Sequence, residues 1–129
     1  MIVDSSAVVA VFLQEPGFED LLTKLSQEPA ALGIATPNLL ECGIVLTARL
    51  RRDARPLLFR FLQEFGIVAI PFGDDHWREA LDAYMRFGKG RHRAALNLGD
   101  CCAYAAARLA AQPLLCTGQD FARTDIALA

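Results

Sequence analysis

The sequence is short of the side chains that hold soft metals. It has two histidines, His76 and His92, and four cysteines, Cys42, Cys101, Cys102 and Cys116, none of which forms a Cys-x-x-Cys pair. Without a second nitrogen ligand beside either histidine, a zinc site is not expected. Each cysteine lies in apolar sequence, the pattern of buried reduced thiols in a cytosolic protein. The formal net charge is −2, so no global basic field exists, and nucleic-acid binding would rest on local patches and metal ions. No apolar run reaches the roughly 18 to 20 residues that span a bilayer, and no charged segment leads into an apolar stretch as in a signal peptide. The expectation is a cytoplasmic protein with no membrane partner. Gly88-Lys89 lacks the upstream glycine and following hydroxyl residue of a P-loop. There is no linker, repeat or low-complexity tract, which predicts one domain over 1–129.

What is present is apolar. Hydrophobic residues make up 53% of the chain and charged residues 22%, so a domain this small should leave apolar surface for a second copy or a partner groove. Short apolar runs without alternation predict buried strands at Met1–Val3, Ala31–Thr36, Ile67–Ile70 and Leu114–Thr117. Helical spacing predicts helices over Ala7–Leu13, Phe18–Glu28, Pro37–Leu50, Leu57–Phe65, His76–Phe87 and Asp100–Ala111. Ile126 reads as the start of an edge strand. Strands alternating with helices give an α/β class: a three-layer α/β/α sandwich around a central, mostly parallel sheet.

Four acids stand in unwelcoming surroundings. Asp4 ends the first strand, and Ser5 and Ser6 after it suit a helix cap. Glu41 lies between Leu39-Leu40 and Cys42-Gly43-Ile44. Asp100 lies between Leu98-Gly99 and Cys101-Cys102. Asp120 follows the fourth strand. No Lys or Arg adjoins any of them in sequence. Simple alternatives exist: caps for Asp4 and Asp120, a dipole-stabilising acid for Asp100, a snorkelled edge residue for Glu41. Taken together, clustered carboxylates repel and call for a hard divalent cation. Oxygen ligands alone suit Mg²⁺ or Mn²⁺, whose chemistry on phosphodiesters is to generate hydroxide and stabilise the leaving oxygen.

Three stretches then carry a resemblance. Met1-Ile2-Val3-Asp4-Ser5-Ser6-Ala7 resembles the opening of PIN-domain proteins. Ala95 to Ala105, with Asp100 inside it, is similar to the third acidic motif of VapC-type toxins, and Leu114 to Ile126 to their C-terminal motif. The resemblance implies a Mg²⁺- or Mn²⁺-dependent endoribonuclease, the toxin of a type II toxin–antitoxin pair. It implies a homodimer, an RNA substrate and a cognate antitoxin. Its acids carry over as Asp4, Glu41, Asp100 and Asp120, with Thr117 orienting a ligand or water, Asp125 as an outer acid and Ser6 beside the site. Gln119 departs from the Asn or acid of many relatives.

Other features have two readings. Lys89, Arg91, His92 and Arg93 form a basic loop, either a solvated connection or an RNA phosphate contact. Arg49 to Arg55 suits a helix C-terminus. Phe59, Phe61 and Phe65 read as core, with an antitoxin groove as the alternative. Trp77 reads as packing. Two rivals to the ribonuclease remain. A self-phosphorylating phosphatase would want an acid where Ser6 stands, which disfavours it. A PIN-fold binding module, acting with its antitoxin in promoter autoregulation, gives no reason for buried acids.

Overall fold

The computed structural model describes residues 1–129. Four parallel strands, β1 (Ile2–Val3), β2 (Leu32–Ala35), β3 (Ile67–Ile70) and β4 (Leu114–Leu115), form a sheet in the order β3-β2-β1-β4. The helices are α1 (Ser5–Phe12), α2 (Phe18–Gln27), α3 (Thr36–Leu50), α4 (Arg55–Phe65), α5 (Asp74–Phe87) and α6 (Leu98–Ala110), followed by one 3-10 turn at Phe121–Arg123.

The strands β1, β2 and β4 are apolar on both sides because both sides are covered, whereas the edge strand β3, expected to be buried, turns Ile67 to the core and leaves Val68 59% exposed. Met1, Val3, Leu32, Ile34 and Leu115 face a core shared with α1, α2, α3 and α4. Their neighbours Ile2, Ala35 and Leu114 face a second core built on α5 and α6. The three-layer α/β/α expectation therefore holds. Gly33 is the tight point of the sheet: a Cβ there would lie 2.6 Å from Ile70 Cδ1.

Helix boundaries follow local chemistry. Pro37 and Pro56 stand in the first turns of α3 and α4, where a missing N–H costs nothing. Gly66 ends α4 in the left-handed conformation. Asn97 caps α6, so that helix starts at Leu98, ahead of the expected Asp100. His76 accepts the Gly73 N–H through Nδ1 at the head of α5, and His92 accepts the Ala94 N–H, so both histidines have local structural work.

Three expectations change. The strand from Ile126 is absent; the tail makes a single bridge, Leu128 to Leu114, because one pair of backbone bonds is all it offers. β4 stops at Leu115, and the N–H of Thr117 goes to Ser6 Oγ instead of a ladder partner (3.0 Å). Phe61 is buried and pairs with Phe12, but Phe59, on the opposite face of α4, is 60% exposed.

Candidate active site

The strand order places the site. The connections from β1 to β3 all run over one face, and α5 and α6 return over the other, so the winding reverses between β1 and β4. The crevice beyond the carboxyl ends of those two strands is where an open parallel sheet binds ligands. Asp4 follows β1 directly, and Thr117 lies just past β4. The start of α3, following β2, and the N-terminus of α6 close on the same place.

A cavity of about 300 Å³ opens there, lined by Asp4, Ser6, Glu41, Asp100 and Thr117 among others. Asp4 is 2% exposed. Its Oδ2 caps α1 by accepting the Ser6 N–H at 3.0 Å, so the simple reading of Asp4 as a cap is correct as far as it goes. Its Oδ1 is buried and has no partner at all. Burial pushes the Asp4 carboxyl up to about 6, against the bonds from Ser6, and the charges of Asp100 and Glu41 push the same way. A capping residue alone has no use for a second, orphaned oxygen.

Glu41 projects from α3. Ser5 Oγ donates to its Oε1. Its carboxylate lies against the α-carbon of Gly99. Asp100 is the third residue of α6 and closes a reciprocal cap with Asn97: Asn97 N–H to Asp100 Oδ2 at 3.0 Å, Asp100 N–H to Asn97 Oδ1 at 2.9 Å. Burial raises its pKa, and the charges of Asp120 and Glu41 add to that. Asp120 does not line the cavity: its side chain is 55% exposed, with Arg123 Nη1 at 4.0 Å, though its charge reaches Asp100. The sequence showed no cation beside it, because Arg123 reaches back across the 3-10 turn.

These groups suit a hard cation. The acids offer oxygen ligands, neighbouring charges push Asp4 and Asp100 up, and Asp4 keeps a buried oxygen facing no donor. No three acidic, histidine or cysteine side chains are drawn to one point at ligand distance. Mg²⁺ does not require that, since it keeps several waters and takes one or two carboxylates directly.

The sequence model of the PIN domain matches residues 1–127. A protein of Mycobacterium tuberculosis named Ribonuclease VapC36 is 44% identical over 126 residues, covering 98% of this chain and 91% of that one. The chain belongs to the PIN-domain family, among its VapC members. A Ribonuclease VapC of Mycolicibacterium smegmatis is 38% identical, with 98% of each chain covered. The fold of this PIN domain is also that of a crystal structure of Mycobacterium tuberculosis VapC20, described as a Sarcin-Ricin loop cleaving toxin: TM-score 0.80 at 14% identity, over 99% of this chain and 97% of that one.

Not every expected residue of this PIN domain comes to the cavity. Ser6 does, and its hydroxyl holds the Thr117 backbone in place. Asp125 does not line it. Its carboxylate accepts from Tyr104 Oη at 2.5 Å, Arg86 Nη2 at 2.8 Å and Arg108 Nη1 at 3.1 Å, which holds its pKa down to about 2. Expected as an outer acid, Asp125 is held instead in an ion-pair network between α5, α6 and the tail, away from the cavity lining. Lys89, Arg91 and Arg93 are exposed in the loop between α5 and α6, where Arg91 Nε donates to Met85 O. Trp77, expected to pack, is instead 47% exposed at the head of α5, where its Nε1 donates to Asp74 Oδ1 at 2.7 Å.

Sequence reasoning passed over Ser5, Glu15, Asn38 and Gly99. Glu15 lines the cavity from the loop after α1. Asn38 was discoverable, standing three residues before Glu41 and so on the same face of α3. All four cysteines are free. No helix is long and apolar enough to cross a membrane.

Proposed function

We propose that this chain is a Mg²⁺- or Mn²⁺-dependent endoribonuclease, the toxin of a toxin–antitoxin pair. Relatives named as VapC ribonucleases across nearly its whole length support the ribonuclease reading. The observation that carries the metal is the orphaned, buried Oδ1 of Asp4 in a cavity lined with other carboxylates. Asp4, Asp100 and Glu41 would hold the ion, with Asp120, whose charge reaches Asp100, joining through the ion's waters. When bound, such an ion supplies a polarised water as nucleophile and positive charge for the leaving oxygen.

The chain's own part is placement. Ser5 orients Glu41, and Ser6 fixes the Thr117 backbone so that the Thr117 hydroxyl can position a water or a phosphate oxygen. Water attacks phosphorus in line: a new P–O bond forms as the P–O3′ bond breaks, and the proton that the water sheds to solvent is matched by the one the departing 3′-oxygen takes up. The products are a 5′-phosphate and a 3′-hydroxyl, with the RNA 2′-hydroxyl taking no part. Lys89, Arg91 and Arg93 supply exposed positive charge for the RNA backbone. The antitoxin and a second copy of the chain are the protein partners of this reading. Leu40, Ile44, Phe59 and Leu98, the last 84% exposed, give them apolar surface to cover. The site of action is the cytoplasm.

The test is RNA cleavage by protein purified free of antitoxin, with Mg²⁺, with Mn²⁺ and with EDTA, beside Asp4→Asn to exclude contaminating nuclease. Metal-dependent cutting that the variant lacks, leaving 5′-phosphate ends, is the expected result. Cyclic 2′,3′-phosphate ends would overturn the route. No cleavage together with no metal binding would turn the reading to a binding module.

A further inference from the structure

Asn38 is wholly buried, at 0% exposure, in the first turn of α3. It makes one hydrogen bond, from Nδ2 to the carbonyl oxygen of Gly99 at 3.0 Å. Its Oδ1 is buried with no partner. An amide with an unsatisfied oxygen is a poor choice for stability alone, since an apolar side chain of the same size would leave nothing unpaired. The one bond it makes ties α3 to the first turn of α6. On α3, Glu41 lies one turn further along the same face. On α6, Gly99 precedes Asp100, and its α-carbon is the surface against which the Glu41 carboxylate rests.

We infer that Asn38 is a positioning residue: by holding the Gly99 carbonyl it sets the distance between the Glu41 and Asp100 carboxylates across the α3–α6 seam. This rests on the acidic cavity being the ribonuclease centre. The amide is placed to fix the seam in a way an apolar contact cannot, because a hydrogen bond prescribes direction and length where packing permits sliding. Asn38 itself does not line the cavity, so it acts through its neighbours.

Asn38→Leu keeps the bulk and removes the donor. It should fold with a melting temperature equal to or above that of the wild type, lower kcat roughly 10- to 100-fold as a misplaced catalytic group does, leave KM for RNA unchanged, and weaken Mn²⁺ binding measured by electron paramagnetic resonance. A residue that serves only packing would shift the melting temperature and leave kcat and Mn²⁺ affinity alone, and that result overturns the proposal. If Asn38→Leu does not fold, Asn38→Ser, whose hydroxyl falls short of Gly99, is assayed below its melting temperature: the same fall in kcat supports the proposal and wild-type kcat refutes it. Should the wild type bind Mn²⁺ but cut none of the RNAs offered, the Mn²⁺ affinities of the variants decide alone. A wild type that neither cuts nor binds Mn²⁺ removes the centre itself and the proposal with it.

Discussion

A methyl group on the α-carbon of Gly99 would stand 2.7 Å from Oε2 and 2.9 Å from Oε1 of Glu41. Gly99 is the second residue of α6, where alanine suits the helix at least as well as glycine. The atoms struck are the far end of a flexible side chain, so Gly99→Ala moves Glu41 rather than the backbone. The variant should melt within a few degrees of the wild type yet lose cleavage by roughly 10- to 100-fold. Parallel melting curves and RNA cleavage rates check this. Retained activity would mean that the position of the Glu41 carboxylate is immaterial.

Asp4 makes the metal-free protein sensitive to pH in a definite direction. Its carboxyl titrates at about 6 in the fold against 3.8 for the ordinary side chain. Between those values the folded protein holds a proton that the unfolded chain has released. Folding is therefore favoured by acid, and stability falls as pH rises through the folded value, by about 3 kcal/mol in all. Asp125, held down near 2, acts in the opposite sense, but only below the ordinary carboxylate value. Urea unfolding in EDTA between about pH 4.5 and 7.5 should show wild-type stability declining. Asn in place of Asp4 should flatten most of that decline. Identical pH profiles for the two proteins would show that Asp4 ionises without hindrance.

Much of this was legible from residue order. Unbroken apolar runs marked the four strands, three of them covered on both faces and the edge strand β3 on one, and Pro37 and Gly66 marked helix ends through backbone constraints that act locally. Acids among apolar neighbours pointed to Asp4, Glu41 and Asp100, since the expense of burying a charge is a local property. What was not legible depends on other parts of the chain. Asp125 looks like an outer acid beside Asp120 until Tyr104, Arg86 and Arg108 are seen around it. Phe59 shares its spacing with Phe61 yet points away from the core. Ser5 and Ser6 read alike as caps, and only the fold sends one hydroxyl to Glu41 and the other to Thr117.

The Asp125 network makes a prediction about separability. Tyr104 is fully buried and gives its hydroxyl to a carboxylate that also meets two arginines. Tyr104→Phe removes the bond given to Asp125 and the longer one accepted from Arg86 Nη1, and should cost about 1.5–3 kcal/mol of stability by urea titration. It should leave kcat and KM on RNA unchanged at temperatures where the protein is folded. A selective fall in kcat would return Asp125 to the site.

Asp100 tests whether the acids are kept for stability or for binding. Its carboxylate is raised by burial and by the charges of Asp120 and Glu41, so the ionised form is held at a disadvantage in the metal-free fold. Asp100→Asn removes that charge and still offers an oxygen to the Asn97 N–H, so the helix cap survives. The metal-free variant should be as stable as the wild type or more so, while cleavage disappears. The wild type, in turn, should gain stability on adding Mn²⁺, because a ligand that binds only the folded state shifts the unfolding equilibrium toward it. The variant should gain little. Thermal melts of both proteins with EDTA and with Mn²⁺ give all four values. An Asp100→Asn protein much weaker than wild type in EDTA would mean that the carboxylate holds the helix cap in a way an amide cannot. Its role would then be structural, whatever its effect on cleavage.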